Sequence, residues 1–554
     1  MRIKLAPRTP SAYGYPLLLK QLLHTPLAWS PDQEIVYRDR SRYTYRDLLG
    51  RIGRLANGLA SLCVSAGETV AVLDWDSHRY LECFFAVPMM GAVLHTVNVR
   101  LSQEQLLYTI NHAEDDVLLV NSDFLPIVEA VADRFEKPKK LVLLTDERTA
   151  PPRSPLPFSA EYEELLARSS PDCDFPDFDE GACATLFYTT GTTGLPKGVC
   201  FSHRQLVLHT LAGMAAYGIP RSQGRLHRDD VYMPITPMFH AHAWGVPYMA
   251  TAMGVKQVYP GRYDPAELLA LKAREGVTFS HCVPTILDMV LSHPTAASVD
   301  LSGWKVITGG SVLPAPLCKR AMERGIDIWS GFGMSEMCPT ACQSQLDTAM
   351  LSKDPDGQAE VRCKGGRPVP LVQMRIVDPD LKDLPHDGKV TGEVVYRAPW
   401  ATQGYLKDAE SSEKLWLGGY LHTGDVACID GTGFVKVSDR LKDVIKTGGE
   451  WVSTLDLEAA LARHPGVREV AVVGVPDAKW GERPLALVVL GDPRAGPGEE
   501  ELRAYVREQA EKGVVSRYGV PDRILFVGEI DKTSVGKVDK KVLRERYKAR
   551  GTDG

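Results

Sequence analysis

Short apolar runs alternate with amphipathic stretches from about residue 40 to residue 340, and this alternation limits the possible folds of the chain. Between Tyr45 and Leu59 the apolar residues recur at helical spacing, and Thr69 to Leu73 is a short buried-strand pattern. Val117 to Val120 repeats the strand pattern. Strands that alternate with helices in this way predict parallel α/β layers.

The sequence pattern changes twice after this region. From about 365 to 437 it becomes short alternating strands between Gly and Asp turns, which predict a small β subdomain. A charged run at 438–443 then precedes about 110 residues in which strands and helices resume, enough for a separate domain. We therefore predict an N-terminal domain over 1–438, a hinge over 439–442 and a C-terminal domain over 443–554.

The composition argues against several classes of protein. The 64 Lys and Arg against 70 Asp and Glu give a net charge of −6, so no overall basic field favours nucleic acid. The 11 cysteines are scattered without a CxxC pair, which is typical of free thiols and predicts a cytoplasmic protein. The 25 residues from Val231 to Val255 lack charged side chains, but their prolines and histidines favour a pocket wall over a transmembrane segment.

The sharpest motif is Tyr188-Thr-Thr-Gly-Thr-Thr-Gly-Leu-Pro-Lys-Gly-Val199, which lies between an apolar run and the capping pattern of Ser202 and Gln205. This order predicts a strand, a loop and a helix. Glycines let backbone amides approach an anion, threonines add hydroxyl donors and a lysine adds positive charge. The motif therefore predicts a polyphosphate cradle made of Thr189, Thr190, Gly191, Thr192, Thr193, Gly194 and Lys197.

This loop and several blocks that follow it resemble the AMP-forming adenylating enzymes, the ANL superfamily of acyl-CoA synthetases, peptide synthetase adenylation domains and beetle luciferases. The resemblance runs from about Leu18 to Lys548 and is strongest to bacterial medium- and long-chain fatty acyl-CoA synthetases. It implies an α/β fold with a large N-terminal domain of two layered α/β subdomains and a small β-barrel. A small mobile α+β C-terminal domain follows. It also implies ATP, Mg²⁺ and coenzyme A as cofactor and co-substrates and, at the level of the family, a homodimer.

Further blocks resemble the nucleotide site of this family. Glu336 corresponds to the Mg²⁺ ligand, and Asp425 to the acceptor of both ribose hydroxyls. Phe332 stands where Tyr is usual and Ser335 where Thr is usual, but they keep the ring and the hydroxyl. Besides the cradle, the implied ATP-binding residues are Gly309, Gly310, Ser311, Gly331, Phe332, Ser335, Asp425 and Arg440. The plain structural alternatives are an ordinary glycine turn at Gly309 and Gly310, a solvated acid at Glu336 and a solvated linker at the charged run 438–443.

Blocks of the C-terminal domain resemble those that serve the two half-reactions in turn. Lys442 falls at the family's hinge position. Gly448, Gly449 and Trp451 belong to the loop of the thioester step, with Gly449 beside the pantetheine passage, and Lys537 corresponds to the adenylation lysine. The alternative for Lys537 is a solvated lysine in a basic tail.

The resemblance also implies the mechanism. A carboxylate that attacks the α-phosphate of ATP brings two anions together, so the site must neutralise charge through Mg²⁺ on Glu336, Lys197 and Lys537. A thiol then displaces AMP from the acyl-AMP. His240, near the acid carboxylate in this family, completes the implied catalytic set.

The segment from Pro237 to Trp244 resembles the acyl wall of this family, with Trp244 as the aromatic gate of bacterial fatty acyl-CoA synthetases. Val283 and Pro284 are apolar neighbours. No cationic residue marks the wall in sequence, so we expect a medium-chain fatty acid. Longer fatty acids and small thioether, branched or aryl acids are the alternative substrates. The plain structural alternative is that Trp244 and His240 only fill the core.

Other functions share parts of this pattern. A stand-alone adenylation enzyme that charges a carrier protein would perform the same first half-reaction, although carrier modules are expected after the Lys537 block, where the sequence has 17 residues. A luciferase-like oxygenase would need a further oxidisable substrate. A nucleotide sensor without catalysis is disfavoured because Lys537, Glu336 and Asp425 are all present.

Overall fold

The structure is a computed structural model that describes residues 3–137, 139–146, 153–189, 195–221, 223–447, 450–492, 496–512, 514–532 and 538–547. Within these residues the strands are β1 (Glu34–Tyr37), β2 (Ser41–Thr44), β3 (Thr69–Leu73), β4 (Val93–Thr96), β5 (Val117–Asn121), β6 (Lys140–Leu144), β7 (Phe158–Glu161), β8 (Cys183–Thr189), β9 (Lys197–Ser202), β10 (Val231–Pro234), β11 (Lys256–Tyr259), β12 (Phe279–Cys282), β13 (Lys305–Thr308), β14 (Asp327–Gly333), β15 (Thr340–Gln343), β16 (Arg367–Pro368), β17 (Gln373–Val377), β18 (Gly392–Arg397), β19 (Leu421–Ile429), β20 (Val435–Arg440), β21 (Ile445–Thr447), β22 (Glu450–Val452), β23 (Val467–Asp477), β24 (Gly481–Leu490) and β25 (Arg523–Phe526).

The helices of the same residues are α1 (His24–Trp29), α2 (Tyr45–Ser61), α3 (His78–Met89), α4 (Gln103–His112), α5 (Leu125–Glu129), α6 (Tyr162–Ala167), α7 (His203–Gly218), α8 (Ala241–Trp244, a left-handed turn), α9 (Val246–Met253), α10 (Pro265–Glu275), α11 (Pro284–Ser292), α12 (Ala315–Glu323), α13 (Thr348–Leu351), α14 (Pro355–Arg362), α15 (Ala409–Leu415), α16 (Thr454–Leu461), α17 (Glu499–Glu511) and α18 (Lys540–Tyr547).

Two large sheets form the N-terminal part of the chain. One has seven strands in the order β7-β6-β5-β3-β4-β8-β9, all parallel except for β9. The other has nine strands in the order β16-β15-β14-β13-β12-β10-β11-β1-β2, parallel in its centre and antiparallel at both edges. The strands β3 and β5 are buried at every residue, which explains their continuous apolar runs. The predicted parallel α/β layers are confirmed.

Helix α3 lies between the two sheets. It is buried along its whole length, and it contacts β3, β4 and β8 of the seven-stranded sheet as well as β1 of the nine-stranded sheet. A helix without a solvated face belongs in the interior. The two predicted subdomains therefore share one central helical layer.

The predicted β subdomain is an antiparallel sheet in the order β17-β18-β19-β20. Its buried face includes Ile376, Val394, Tyr396 and Ala427. Among the described residues no ladder joins β17 to β20, so this unit is an open sheet where the resemblance implied a barrel. Four strands are too few to close around a filled interior, for which about eight are typical.

The C-terminal part folds around a mixed sheet in the order β22-β21-β24-β23, with β25 parallel to β24. Val472 packs with α16 and α17 on one face, whereas its neighbours Ala471 and Val473 pack with α18 on the other. This alternation is the period of two that a strand covered on both faces requires. The predicted α+β character is confirmed. The domain limits stay predictions. The hinge at 439–442 also stays a prediction; it begins in the last two residues of β20 and ends before β21 starts at Ile445.

Strand β9 lies between the polyphosphate loop and α7, where the sequence pattern predicted that the loop leads directly into the helix. β9 pairs with β8 in an antiparallel hairpin and buries Val199 and Phe201. The predicted capping box is confirmed, because Ser202 and Gln205 exchange hydrogen bonds at the start of α7. The hairpin therefore fixes both ends of the loop in one sheet.

The uncharged stretch from Val231 to Val255 contains β10, α8 and α9, and nearly all of its side chains are buried. It is part of the protein interior, as predicted. None of the helices in the described ranges is both long enough and apolar enough to cross a membrane.

Candidate active site

The candidate site lies where strands of the nine-stranded sheet end. The turn at Gly309 and Gly310 follows β13, and Gly331 lies in the last part of β14. Gly310 has a φ of +79°, which favours glycine. A Cβ atom on Gly309 would lie 3.2 Å from the Gly331 carbonyl oxygen and 3.1 Å from the Trp244 ring. The absence of a side chain at Gly309 therefore lets the predicted adenine turn and the predicted acyl gate come into contact.

Glu336 lies in a 3-10 turn immediately after β14 and is 7% exposed. Its Oε1 accepts a hydrogen bond from the Tyr405 hydroxyl at 2.6 Å, and its backbone carbonyl accepts one from the Thr402 N–H at 2.8 Å. Phe332 is half-buried, with its ring centroid 6.1 Å from that of Tyr396, and Ser335 is also half-buried. One segment that follows β18 thus holds Glu336 at both its carboxylate and its backbone carbonyl.

Lys197 begins β9 directly opposite Thr189, the last residue of β8. Its Nζ donates a hydrogen bond to Ser411 Oγ at 2.7 Å, lies 3.8 Å from Asp408 Oδ2, and sits 4.7 Å from the centroid of the Tyr405 ring. The side chain is 40% exposed, so an anion can reach the ammonium group. The cradle residues Thr190, Gly191, Thr192, Thr193 and Gly194 lie outside the described residues.

Tyr405 joins the two charged groups of this site. Its ring contacts the Lys197 ammonium and its hydroxyl donates to Glu336. Next to it, the Leu406 N–H donates to the Gly198 carbonyl, so the segment lies against β9. Burial and the Glu336 carboxylate raise the pKa of Tyr405, which keeps the hydroxyl protonated and able to donate.

Sequence reasoning missed Tyr405 and the residues around it. Thr402, Asp408 and Ser411 lie more than 200 residues after Lys197 in the chain and match no local pattern for phosphate or metal. The one local signal was the spacing of Asp408 and Ser411, because Asp408 caps α15 through the Ser411 N–H. That signal predicts where a helix starts. It does not predict that Asp408 and Ser411 lie close to Lys197 in space.

Asp425 and Arg440 face each other across the β19–β20 ladder. Arg440 Nε lies 3.1 Å from Asp425 Oδ1, and Asp425 is 5% exposed. The Asp425 N–H also donates to Thr423 Oγ1 at 3.0 Å. The two residues predicted to contact ribose are therefore brought together. Lys442 follows two residues later, and burial and Arg440 lower the pKa of its amine.

The acyl wall contains an unusual backbone segment. Ala241, His242, Ala243 and Trp244 have φ values of 45°, 57°, 49° and 59°, and Gly245 follows with 70°. Each non-glycine residue in this left-handed region costs roughly 1–2 kcal/mol. Such strain persists only where the surrounding structure imposes it, and it is concentrated at functional sites.

Trp244 is 8% exposed and its ring lies against His281, with 5.1 Å between centroids. His281 in turn shares a 2.8 Å hydrogen bond with the Tyr232 hydroxyl. Burial lowers the pKa of His281 to about 3, and burial, His209 and His240 do the same for His242. These imidazoles are neutral near pH 7, so they add no positive charge to this side of the site.

The remaining acyl residues lie at the same edge of the sheet. Cys282 ends β12, and its carbonyl accepts the Gly309 N–H at 3.2 Å. Val283 and Pro284 follow directly and start α11, with Pro284 buried and Val283 half-buried. His240 is half-buried, and its carbonyl accepts the Ala243 N–H at 3.1 Å. The structure thus connects the predicted acyl wall to the predicted adenine turn through Gly309.

The sequence also matches two family models, one over the N-terminal part of the chain and one over the C-terminal part. Residues 25–406 match the family described as AMP-binding enzyme, and residues 456–537 match the AMP-binding enzyme C-terminal domain. The chain belongs to the AMP-binding enzyme family. The predicted resemblance to AMP-forming acyl-CoA synthetases is confirmed.

Several relatives of this AMP-binding enzyme cover nearly its whole length. A long-chain-fatty-acid–CoA ligase of Thermus thermophilus is 41% identical over 92% of this chain and 90% of the relative. A 3-methylmercaptopropionyl-CoA ligase of Ruegeria lacuscaerulensis is 36% identical over 96% and 98%. A medium-chain-fatty-acid–CoA ligase of Ectopseudomonas oleovorans is 34% identical over 92% and 91%.

The fold of this AMP-binding enzyme also matches a solved structure. The anthranilate CoA ligase AuaEII in complex with anthranoyl-AMP superposes with a TM-score of 0.83 over 97% of this chain and 98% of that protein, at 24% identity. At this level of identity the comparison confirms the fold alone.

Some of the site residues predicted for this AMP-binding enzyme cannot be placed in the structure. Gly448, Gly449 and Lys537 lie outside the described residues. Trp451 lies in β22 opposite Lys446, and its side chain is not described. The assignment of these residues to the CoA and adenylation steps stays a prediction.

The donor chemistry of this AMP-binding enzyme fits one Mg²⁺ at Glu336. Within the described ranges there is no group of three His, Cys, Asp or Glu residues that could hold a metal. Mg²⁺ does not require such a group, because it commonly binds one or two carboxylates together with substrate phosphates and water. The described partner of the Glu336 carboxylate is the neutral Tyr405 hydroxyl, which leaves the negative charge available to a cation.

Proposed function

We propose that this enzyme joins a carboxylic acid, a medium-chain fatty acid in the first place, to coenzyme A. In the first half-reaction the acid carboxylate attacks the α-phosphate of ATP, which forms acyl-AMP and releases pyrophosphate. In the second half-reaction the CoA thiol attacks the acyl carbon and AMP leaves. The contact at Gly309 carries the proposal, because an apolar wall beside the turn predicted to bind adenine supports a site that brings an acyl chain and ATP together.

The nucleotide side supplies charge. Lys197 is placed at the end of the predicted phosphate cradle, where its ammonium neutralises the outer phosphates. Asp425 offers two oxygens to the ribose hydroxyls, with Arg440 beside it. Glu336 would hold Mg²⁺, which supplies Lewis-acid stabilisation of the phosphate oxygens when it is bound.

Ser411 holds the Lys197 side chain in the structure as it stands. A phosphate oxygen is a better partner for an ammonium group than a neutral hydroxyl, because it adds the Coulomb attraction of opposite charges to the hydrogen bond. Lys197 would therefore exchange Ser411 for a phosphate when ATP binds. Tyr405 keeps the ammonium and the Glu336 carboxylate at a fixed separation during this exchange.

The acyl side supports an apolar acid of moderate length. Trp244 belongs to a buried apolar cluster that also contains four large rings: Tyr217, Tyr232, Phe279 and Trp329. An acyl chain would gain apolar contact beside Trp244, and the packed rings favour a chain of moderate length over a long one. The relative from Ectopseudomonas oleovorans supports a medium-chain acid, and that from Ruegeria lacuscaerulensis supports the alternative of a thioether acid. Branched and aryl acids, and a stand-alone adenylation enzyme that charges a carrier protein, remain alternatives.

The test is CoA-dependent release of AMP across a panel of acids from C2 to C16 with aryl and thioether members. The kcat/KM is expected to peak at a medium-chain acid. A peak at C16, or at the thioether acid, would replace the proposed substrate. AMP release that needs no CoA would indicate stand-alone adenylation, and absence of acid-dependent pyrophosphate exchange would refute the enzyme assignment.

The second half-reaction is assigned to the C-terminal domain, with Lys442 as the hinge. Lys537→Ala should reduce adenylate formation by about 10²–10³, because the ammonium no longer stabilises the meeting of two anions. Thioester formation from synthetic acyl-AMP should survive in this variant. Gly449→Leu should show the opposite pattern by obstructing the pantetheine passage. Equal losses in both half-reactions for Lys537→Ala would contradict a domain that alternates between them. A homodimer and a cytoplasmic location stay expectations of this proposal.

A further inference from the structure

Asp76 is a buried carboxylate that binds the acyl wall from behind. It follows β3 at the carboxyl end of the seven-stranded sheet and is 3% exposed. Its Oδ1 accepts a hydrogen bond from the Met238 N–H at 2.8 Å, and its Oδ2 accepts one from the Tyr263 hydroxyl at 2.5 Å. Its backbone carbonyl accepts the Gly261 N–H at 2.8 Å.

Thr96 makes a second bond to the same segment. It ends β4, the strand beside β3, and its buried hydroxyl donates to the Phe239 carbonyl at 3.0 Å. Asp76 and Thr96 therefore fix the backbone at Met238 and Phe239 from one sheet edge. His240 follows directly, and the left-handed turn starts one residue later.

The nine-stranded sheet holds this segment from the other side. The Thr236 hydroxyl donates to the His281 carbonyl at 3.1 Å, and the Trp244 ring lies against the His281 ring. The segment that forms the wall is thus hydrogen-bonded to both sheets, and the strained turn follows at its end. Strain of this kind persists only where the surrounding structure imposes it, so we expect the turn to relax if one of its flanking attachments is lost.

We propose that Asp76 is a positioning residue for acid selection, which holds Met238 so that His240 and Trp244 keep the geometry of the acyl wall. This inference rests on the proposed function. A buried carboxylate is costly without compensating hydrogen bonds, and here both oxygens are used for one backbone and one hydroxyl donor. An apolar residue would fill the same volume but would leave the Met238 N–H unpaired.

The surroundings of Asp76 support this role. Asp74, Arg100 and Tyr263 are titratable groups near it, together with the buried hydroxyls of Tyr80, Tyr232 and Tyr259, and burial raises its pKa to about 7. Asp74 is occupied elsewhere, because it accepts hydrogen bonds from Ser77 and Asn121. Asp76 is therefore the carboxylate at this edge whose side chain reaches the wall.

The test compares acid selectivity in Asp76→Ala, Asp76→Asn and Thr96→Val with that of a control, Asn121→Ala. Asn121 is buried at the same sheet edge, but it donates to Asp74 and not to the wall. The ratio of kcat/KM between the best and the second-best chain length is measured for each variant, together with the KM for ATP and the thermal midpoint.

Asp76→Ala should change the selectivity ratio by about tenfold, since a displacement of about 1 Å at a positioning group can cost 10²-fold in rate. Thr96→Val should change it in the same direction by about threefold, because one hydrogen bond is lost. Asp76→Asn should restore most of the ratio, because its amide oxygen can still accept from Met238 and its NH₂ can donate to the Tyr263 oxygen. The KM for ATP should stay within about twofold of the wild type in all variants, because the nucleotide contacts are unchanged.

The inference is wrong if Asp76→Ala keeps the wild-type selectivity ratio, or if Asn121→Ala shifts it as much. If Asp76→Ala does not fold, the same decision rests on Thr96→Val against Asn121→Ala. Failure of the proposed function is seen separately, since the wild-type enzyme would then release no AMP with any acid of the panel.

Discussion

The nucleotide side and the acyl side of the site are built on opposite principles. On the nucleotide side each of three charged groups has a polar partner: Lys197 has Ser411, Glu336 has Tyr405 and Asp425 has Arg440. On the acyl side Trp244, His242 and His281 are buried, the two imidazoles are neutral near pH 7, and the backbone at 241–245 is strained. We therefore expect a phosphate to bind by replacing Ser411 on Lys197, and an apolar chain to be selected by shape.

This difference predicts different consequences of mutation. Substitutions on the nucleotide side should change ATP and metal dependence, because they remove charged groups that are predicted to contact the nucleotide. Substitutions on the acyl side should change which acid is accepted and should also lower stability, because they remove packed volume. The following predictions test this separation.

Glu336→Gln should produce the largest effect. The amide is a poorer ligand for a hard cation, so adenylate formation should fall by about 10²–10³ and the Mg²⁺ requirement should rise. Pyrophosphate exchange as a function of Mg²⁺ concentration measures both, and direct titration of ATP binding with and without Mg²⁺ gives a readout without turnover. A wild-type Mg²⁺ titration in this variant would remove Glu336 from the metal site.

Asp425→Ala should raise the KM for ATP by about 10- to 100-fold, because the ribose hydroxyls lose charge-assisted bonds of about 1.5–3 kcal/mol. Arg440 also loses its ion-pair partner, so Arg440→Ala is measured beside it. Because Arg440 is itself predicted to contact ribose, equal effects of the two variants would mean that the ion pair acts as one unit at the ribose. An unchanged ATP dependence in Asp425→Ala would contradict the ribose assignment.

Trp244→Ala should change relative kcat/KM values among acids by about tenfold while the KM for ATP changes little. It should also reduce the free energy of unfolding by about 3–5 kcal/mol, as for other buried aromatic side chains. A uniform loss for every acid, together with reduced stability, would mean that Trp244 only fills the core. The chain-length profile and a urea unfolding curve decide between these outcomes.

The buried histidines of the acyl side should make the stability of the enzyme depend on pH. Burial lowers the pKa of His242 to about 3, against about 6.5 in an unfolded chain. The unfolded state therefore binds more protons between these values, so stability is full above pH 6.5 and is lost as the pH falls. From pH 7.5 to 5.5 the loss from one such histidine is about 1.4 kcal/mol.

His242→Gln should abolish its share of this loss. The decrease in unfolding free energy between pH 7.5 and 5.5 should be smaller by about 1.4 kcal/mol than in the wild type, whatever the variant does at pH 7.5. An identical decrease would mean that His242 is not kept neutral in the folded enzyme. The urea unfolding transition at the two pH values gives the comparison.

The sequence allowed the prediction of features that local patterns specify. Helix α2, strand β3 and the Ser202–Gln205 cap depend on residues within a few positions of each other. The resemblance identified the family and brought together Asp425 and Arg440, which pair across one hairpin. These features need no knowledge of distant contacts.

The features that could not be predicted depend on contacts between distant segments. Tyr405 reaches Lys197 and Glu336 because its segment lies against β9, and no local pattern encodes that contact. The left-handed turn at 241–245 has four non-glycine residues that disfavour it, so local propensity predicts something else. Asp76 lies 162 residues before Met238 in the chain, so no local pattern indicates the hydrogen bond between them.

Tyr405→Phe should give the smallest effect and tests whether the link between Lys197 and Glu336 matters. The variant keeps the ring under the ammonium and removes the hydroxyl that donates to Glu336. The loss of one hydrogen bond to a buried carboxylate is worth about 1 kcal/mol, so catalysis at limiting Mg²⁺ should fall by about fivefold. At saturating Mg²⁺ the loss should be smaller, because the bound cation then orients the carboxylate.

Ser411→Ala is the matched control for Tyr405→Phe. It removes the partner that Lys197 must release, so it should leave the Mg²⁺ dependence unchanged and should not raise the KM for ATP. If both variants raise the KM for ATP equally, the two groups only hold Lys197 in place. If neither variant changes any parameter, the exchange of partners on the nucleotide side is wrong. A shift in Mg²⁺ dependence in Tyr405→Phe alone would establish that the hydroxyl acts through Glu336, because Lys197 keeps its ring contact in that variant.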